Sequence, residues 1–328
     1  MVYHGGSRDI RDGTIDFSYS TNPYRPRFIE RYLKMAQFEK YPYCEDELEK
    51  EIKSKFGIEG EVTIGAGITE LLYMVAHATR KSPSVIMKHT YGEYERVSGL
   101  FEKPVHFIDS LDPGVGEFLG KKNSTIFFAN PNNPTGKLYD YISELIDGAE
   151  RNNSTLILDE SFISFADRKP KYSFADNLIV LRSFTKEYNV PGIRIGYAIS
   201  TGSFKKKLVE YRMPWGIGAA GCMAIKAILE NRGYLKSTLP KIKNERKRLE
   251  KKLGLRTDAN FFLADVEDAA KITRQLVDGG VLVRDCTSFG LPTMIRFSVK
   301  KPRENGKLVA RLLKLKRLSL PSEMLYQI

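Results

Sequence analysis

Residues 155–160 read TLILDE, and residues 178–200 read LIVLRSFTKEYNVPGIRIGYAIS. In both stretches an apolar run of strand length ends and polar side chains follow at once, as at the ligand-binding edge of an open sheet. The same chain alternates other strand-like runs (84–87, 125–129, 195–199) with helix-like stretches (70–78, 139–152, 220–230). This alternation predicts an α/β fold with a mostly parallel central sheet covered on both faces.

The pattern changes after about residue 235. A long basic helix is followed by shorter strand-like and helix-like stretches, at residues 260–264, 267–278, 281–284 and 294–299. These predict a small α+β domain at the C-terminus. We therefore expect an N-terminal arm (1–30), a large domain (31–235) and a small C-terminal domain (236–328).

Composition bounds the class of protein. The chain has 328 residues, 42% of them hydrophobic, which is enough for a large core and a second domain. No apolar run reaches membrane-spanning length, and the N-terminus lacks the pattern of a signal peptide. The three cysteines, Cys44, Cys222 and Cys286, are scattered and odd in number. We expect from them no disulfide framework, no metal site and a reducing, cytoplasmic location.

The formal net charge of +12 raises the alternative of nucleic-acid binding. The basic residues, however, alternate with Glu and Leu in stretches such as 241–252, a pattern typical of a solvated helix face. No nucleic-acid-binding module is recognisable in the sequence. We expect neither a nucleic-acid nor a membrane partner, whereas a positive field suits a small anionic substrate.

Three polar segments carry the chemistry: NPNNPTG at 130–136, DESF at 159–162 and SFTK at 183–186. Each alone has a simpler reading, as a turn, a helix N-cap or a surface lysine. Their order and spacing argue otherwise. Asp159 follows Asn133 by 26 residues, Lys186 follows Asp159 by 27, and Arg194 follows by 8 more.

These residue types meet the needs of pyridoxal 5′-phosphate (PLP). The cofactor is an electron sink only while its pyridine nitrogen stays protonated, which requires a facing carboxylate such as Asp159. Its aldehyde requires a lysine amine for a Schiff base, and Lys186 supplies one. The amide of Asn133 could donate a hydrogen bond to the O3′ oxygen.

The phosphate of this cofactor needs charge-assisted donors. Ser183 and Arg194 flank the lysine at suitable positions. The turn GAGITE at 65–70 precedes a predicted helix, so the backbone N–H groups of Gly67, Ile68 and Thr69 would complete a phosphate cradle.

With these motifs the chain resembles the class I/II aminotransferase superfamily, the PLP-dependent transferases of fold type I, over nearly its whole length. The resemblance implies that Lys186 is the catalytic Schiff-base lysine and Asp159 the pyridine-nitrogen partner. It also implies that Asn133 is the O3′ donor and that Ser183 and Arg194 bind the cofactor phosphate.

The resemblance assigns three further roles. Tyr91, in HTYGEY at 89–94, matches the aromatic residue that stacks on the cofactor ring; otherwise it is a core aromatic. Tyr41 matches the tyrosine that reaches the cofactor phosphate of a neighbouring subunit, which implies a homodimer with shared active sites. Arg296 matches the arginine that binds the substrate carboxylate; otherwise it is a surface arginine on an edge strand.

Two subfamilies compete, the histidinol-phosphate aminotransferases of histidine biosynthesis and the threonine-phosphate decarboxylases of cobamide biosynthesis. Both act on a phosphorylated amino compound, whose phosphate Arg284 would bind. The segment His4-Gly5-Gly6 and the stretch 16–23, which contains Asn22, are similar to substrate-contacting segments of the decarboxylases.

Phe162 also favours the decarboxylase, because aminotransferases commonly carry a tyrosine there. Ser7, where the decarboxylases usually have asparagine, and a short loop between Arg284 and Arg296 depart from that pattern. The sequence thus predicts an L-threonine O-3-phosphate decarboxylase, with a histidinol-phosphate or other class I/II aminotransferase as the alternative.

The pose of the substrate decides between the two reactions, since the bond held perpendicular to the cofactor ring is the one that breaks. A non-catalytic PLP-fold regulator is a third reading, and the presence of both Lys186 and Asp159 weighs against it. Nothing in the sequence requires a metal.

Overall fold

The computed structural model describes residues 13–231 and 233–315. The predicted substrate residues His4, Gly5 and Gly6, and also Ser7, lie outside these ranges.

The strands of the described chain are β1 (Ile15–Asp16), β2 (Glu61–Gly65), β3 (Ser84–Met87), β4 (Val105–Ile108), β5 (Thr125–Ala129), β6 (Thr155–Asp159), β7 (Leu178–Ser183), β8 (Gly196–Ser200), β9 (Phe261–Asp265), β10 (Val281–Leu282), β11 (Arg284–Asp285) and β12 (Met294–Ser298). The helices are α1 (Arg27–Leu33), α2 (Glu45–Phe56), α3 (Gly67–Ala78), α4 (Glu93–Leu100), α5 (Val115–Phe118), α6 (Ile142–Arg151), α7 (Phe184–Glu187), α8 (Gly202–Glu210), α9 (Ala219–Glu230), α10 (Gly233–Leu253), α11 (Ala269–Asp278) and α12 (Pro302–Lys314).

The central sheet has seven strands in the order β2-β8-β7-β6-β5-β3-β4. Strands β3 to β7 pair in parallel, whereas β8 runs antiparallel to both β7 and β2. The prediction of a mostly parallel α/β sheet is therefore confirmed. In the parallel part Ala129, Asp159 and Leu181 lie side by side, so the carboxyl ends of β5, β6 and β7 form one edge.

Both faces of this sheet are covered, because neighbouring residues of a strand point to opposite sides. In β5, Phe127 joins the core under α3 and Phe128 joins the core under α6. Strands β2 and β4 were not predicted. They have only two or three apolar residues each, and β4 is partly exposed at the edge of the sheet.

The C-terminal part forms a second core around a three-stranded antiparallel sheet, in the order β11-β12-β9. The predicted strand at 281–284 is in fact two strands. Strand β10 pairs in parallel with β1, and β11 pairs with β12. Phe17, just after β1, is fully buried in this same core. Residues 15–17 therefore pack as part of the C-terminal unit, although they are distant in sequence.

Helix α10 joins the two parts. Its surface is mostly polar, as the mixed charge pattern predicted, but Arg246 is buried and points inward. That guanidinium donates to the carbonyl oxygen of Phe165 at 3.0 Å and to Asp167 at 2.6 Å. One basic residue of the helix thus fastens it to the large domain. Among the helices of the described residues, none is both long and apolar enough for a bilayer span.

The structure corrects the expectation about cysteines. Cys44 and Cys222 form a disulfide, with Cα atoms 6.0 Å apart, across 178 residues of sequence. Cys44 caps the start of α2 and Cys222 lies on α9, and these two helices pack together. Spacing along the chain cannot reveal such a pair, because it depends on tertiary packing. The cysteine argument for a reducing interior therefore loses its premise.

A buried lysine lies far from the ligand-binding edge of the sheet. Lys103 is 4% exposed, and its Nζ donates to Thr79 Oγ1 at 2.8 Å and Thr125 Oγ1 at 3.1 Å. Burial lowers the pKa of this lysine to about 7. An unfolded chain keeps its lysines protonated up to about pH 10.4. The folded state is therefore progressively destabilised as the pH falls from about 10 to about 7.

We expect Lys103→Met to remove this pH dependence. Relative to the wild type, its free energy of unfolding should gain about 1.4 kcal/mol for each pH unit from 10 down to 7, and then stay constant. Urea unfolding at pH 7, 8, 9 and 10 measures the difference. Lys50→Met, at an exposed lysine, is the control and should show no such trend. A difference that is the same at all four pH values would contradict the expectation.

Candidate active site

A cavity of about 1010 Å³ opens between the carboxyl edge of the central sheet and the C-terminal unit. It gathers most of the residues that the sequence singled out. Its lining includes Ile68, Thr69, Tyr91, Asn133, Asp159, Ser183, Lys186, Arg194, Arg284 and Arg296.

Lys186 follows β7 on the short helix α7 and projects into the cavity. Its Nζ lies 5.9 Å from the centre of the Phe162 ring. Burial lowers the pKa of Lys186 to about 8; the positive charges of Arg296 and Arg194 act in the same direction, and Asp159 opposes them. A substantial fraction of the amine is therefore neutral and nucleophilic near neutral pH.

Asp159 is the last residue of β6 and is 5% exposed. Its Oδ1 accepts a hydrogen bond from the backbone N–H of Ser161 at 2.9 Å, and its Oδ2 accepts one from the hydroxyl of Tyr94 at 2.6 Å. Burial raises the pKa of this carboxyl, while hydrogen bonds from Ser161 and Tyr94 and the charge of Lys186 lower it. Sequence reasoning missed Tyr94; the only signal was its position three residues after Tyr91.

An anion cradle lies at the start of α3. Gly67 has a φ of +73°, and a Cβ there would lie 2.7 Å from Nη2 of Arg194. Only glycine allows the guanidinium to approach this helix start. Nη2 of Arg194 also reaches Thr69 Oγ1 at 3.5 Å. Backbone N–H groups, a guanidinium and the nearby Ser183 thus converge, as a phosphate requires.

Tyr91 borders the cavity just before α4. Its ring meets the ring of Tyr94 edge-on, with centroids 5.6 Å apart. Burial raises the pKa of Tyr91 to about 12, so its hydroxyl stays protonated. The ring is therefore part of the cavity wall, as stacking on a cofactor would require.

Arg284 and Arg296 are direct partners on the neighbouring strands β11 and β12. Arg296 is only 6% exposed and lies on the middle strand, so the reading of a surface arginine on an edge strand is wrong. It donates to the carbonyl oxygen of Ser18 at 2.7 Å and to Oδ1 of Asn133. Burial lowers the pKa of Arg296 to about 10. Arg284 donates to Ser288 Oγ at 2.7 Å.

Two predicted residues lie outside the cavity. The side-chain amide of Asn22 donates to the carbonyl oxygen of Glu187 at 3.0 Å and to Thr238 Oγ1 at 2.9 Å. Asn22 therefore holds the chain beside Lys186 instead of facing a substrate. Tyr41 is 70% exposed and packs against Trp215, with ring centroids 4.6 Å apart. It does not enter the cavity of its own chain.

The residues present fit PLP. Asp159 suits the pyridine nitrogen, Lys186 the aldehyde, and the Gly67–Arg194 cradle the phosphate. Buried polar atoms without a protein partner also occur in residues that line the cavity: Ser20 Oγ and Arg296 Nε. A bound polar ligand would satisfy them. Ser20 is a second residue that sequence reasoning missed.

The pKa of Lys186 predicts how the apoprotein takes up PLP. Only the neutral amine attacks an aldehyde, so the association rate should rise about tenfold per pH unit below pH 8 and level off above it. Stopped-flow absorbance of the bound cofactor from pH 6 to 10 measures this rate. In Arg296→Met the inflection should move to higher pH, because a positive neighbour of the amine is gone. Unchanged inflections in the two proteins would contradict the assignment.

Comparison with known proteins agrees with this geometry. Residues 19–312 match the model of the family "Aminotransferase class I and II". Histidinol-phosphate aminotransferase 2 of Archaeoglobus fulgidus is 28% identical, covering 91% of this chain and 92% of the relative. A protein of Caldanaerobacter subterraneus, provisionally named threonine-phosphate decarboxylase, is 29% identical over 94% and 92%.

Among solved structures, the histidinol-phosphate aminotransferase of Clostridium acetobutylicum superposes with a TM-score of 0.82 at 26% identity. The superposition covers 92% of this chain and 98% of that one. Family model, relatives and fold thus agree with the cavity and its lysine. The chain belongs to the class I and II aminotransferase family of PLP-dependent enzymes.

Proposed function

We propose that the protein is a PLP-dependent decarboxylase of L-threonine O-3-phosphate. The observation that carries this proposal is the pairing of Arg284 with Arg296 on adjacent strands, at the wall of the cavity that holds Lys186. Directly opposed residues of an antiparallel pair have Cα atoms about 5 Å apart. Two guanidinium groups so close together suit a compact substrate with two anionic groups.

L-Threonine O-3-phosphate has that form, since its carboxylate and its phosphate are attached to neighbouring carbons. Arg296 is anchored by Ser18 and Asn133, deep in the cavity, and suits the carboxylate. Arg284, held by Ser288 and lying 5.7 Å from the Phe289 ring centre, suits the phosphate. A guanidinium can bind either group through two parallel hydrogen bonds.

The residues of this chain then divide the work. PLP, when bound, supplies the electron sink. Asp159 faces the pyridine nitrogen and keeps it protonated, and Arg296 holds the carboxylate so that its bond to Cα is the one weakened. The amine of Lys186 carries the proton that replaces the lost carboxylate at Cα. Phe162, in edge-on contact with Phe261 at 5.0 Å, presents an apolar wall beside that amine.

A second candidate is a histidinol-phosphate aminotransferase. The relative from Archaeoglobus fulgidus bears that name, which favours this reaction. The same residues would serve, with Arg284 on the phosphate and Lys186 moving the Cα proton instead of replacing a carboxylate. Arg296 would then bind the carboxylate of the amino acceptor.

The proposal includes a homodimer in a cytoplasmic location. Large apolar side chains are exposed on and near the segment that carries Tyr41: Met35, Phe38, Tyr41, Tyr43, Met213 and Trp215. Such a concentration of exposed aromatic residues is typical of an interaction surface. Burying it against a second copy would bring Tyr41 towards that copy, as shared active sites require.

The deciding experiment supplies PLP-loaded protein with L-threonine O-3-phosphate and measures CO2 release. A parallel reaction contains histidinol phosphate and 2-oxoglutarate, and glutamate is measured. CO2 without glutamate supports the decarboxylase. Glutamate without CO2 overturns it in favour of the aminotransferase, and neither product overturns both substrate assignments. Protein in which Lys186 is replaced by alanine is the blank for both reactions.

A further inference from the structure

Tyr94 is the most deeply buried polar contact of the cavity that the reaction has not yet used. It is 1% exposed, and its hydroxyl donates to Oδ2 of Asp159 at 2.6 Å. The ring is fixed on two sides, stacked on Phe127 with centroids 5.3 Å apart and in edge-on contact with Tyr91. A ring held in this way fixes the direction of its hydroxyl.

The hydroxyl can act only as a donor towards this carboxylate. Burial raises the pKa of Tyr94 well above its ordinary value, and the charge of Asp159 acts in the same direction. The proton therefore stays on the tyrosine. A hydrogen bond donated to a carboxylate favours its charged form. It thus counteracts the burial that would otherwise protonate Asp159.

We propose that Tyr94 is a positioning residue that keeps Asp159 ionised and correctly oriented for the pyridine nitrogen of PLP. The inference rests on the PLP chemistry of the proposed function and is independent of which substrate the enzyme takes. Tyr91 and Tyr94, three residues apart at the start of α4, would then serve the cofactor together. One lies at the ring face, and the other acts through Asp159.

The groups around Asp159 make the effect of Tyr94 separable. The titratable side chains that face this carboxyl are Tyr94 and Tyr91, from the start of α4, and Lys186, from α7. The remaining oxygen, Oδ1, is held by the backbone of Ser161. Tyr94 is thus a side-chain donor that can be removed without a charge change and with its ring retained.

The test measures the equilibrium dissociation constant of PLP from the apoprotein, without substrate, at pH 6 and pH 8. Tyr94→Phe should weaken PLP binding by about 10- to 100-fold. The loss should be larger at pH 6, where a carboxyl that has lost its donor becomes protonated. Because no substrate is present, failure of the decarboxylase assignment would leave this result unaffected.

Two controls separate positioning from packing. Tyr139→Phe removes another buried hydroxyl, which donates to the carbonyl oxygen of Leu111 at 3.1 Å, and should change PLP affinity less than about twofold. In an Asp159→Ala background, Tyr94→Phe should add less than about twofold, because the group through which it acts is gone. Equal losses in both backgrounds, or wild-type affinity in Tyr94→Phe, would overturn the proposal.

A second probe applies if Tyr94→Phe does not fold. 3-Fluorotyrosine at position 94 keeps the ring and is a stronger hydrogen-bond donor. It should tighten PLP binding at pH 6 and have less effect at pH 8, where the carboxyl is already ionised. Unchanged affinity at pH 6 would overturn the proposal.

Discussion

Lys186→Ala should lower kcat by about 10⁴-fold, the largest loss that we expect from any single substitution. The variant loses both the amine that attaches the cofactor and the group that carries the proton at Cα. No other lysine lines the cavity in the described residues that could replace it. The variant should still bind PLP through Asp159 and the Gly67–Arg194 cradle, but without a covalent bond.

Borohydride reduction followed by peptide mass spectrometry distinguishes the two states. In the wild type the cofactor mass should appear on the peptide that contains Lys186, and in Lys186→Ala it should appear on none. Lys206→Ala, at an exposed lysine of α8, is the matched control and should keep wild-type kcat and labelling. Covalent labelling of Lys186→Ala at another lysine would refute the assignment.

Arg296→Met should lower kcat/KM for the carboxylate-bearing substrate by about 10²- to 10³-fold, since a buried guanidinium no longer binds the anion. Arg296→Lys keeps the charge but loses the two-pronged geometry, so a smaller loss of about tenfold is expected. Steady-state kinetics with L-threonine O-3-phosphate measure both variants.

The decarboxylated product provides the control, because it keeps the amine and the phosphate but lacks the carboxylate. Its inhibition constant should be nearly unchanged in Arg296→Met and should rise in Arg284→Met. If Arg296→Met weakened the product as much as the substrate, the division of roles between the two arginines would be incorrect.

The sequence predicted the parts of the fold that follow from local patterns. The buried strands β3 and β5 have the predicted bounds, because continuous apolar runs bounded by polar residues leave little freedom. The edge strands β2 and β4 were missed, since short and partly polar strands owe their structure to their neighbours. The Cys44–Cys222 disulfide depends on helix packing and leaves no local trace.

The site shows the same limit at the level of single side chains. Asp159 and Lys186 were placed correctly in the cavity because each follows a recognisable strand. Asn22 was expected to face the substrate, but its amide is engaged by Glu187 and Thr238. Tyr94 was overlooked, although it contacts Asp159. Which way a side chain points depends on contacts that are distant in the sequence.

The pairing of β1 with β10 sets an order on the maturation of the enzyme during translation. Ile15 and Phe17 leave the ribosome among the first residues, yet their partners at 281–298 are among the last. The carbonyl oxygen of Ser18, which anchors Arg296, waits equally long. A ribosome-bound chain can thus complete its seven-stranded sheet while the anion-binding arginine is still unplaced, so competence for substrate comes only after release.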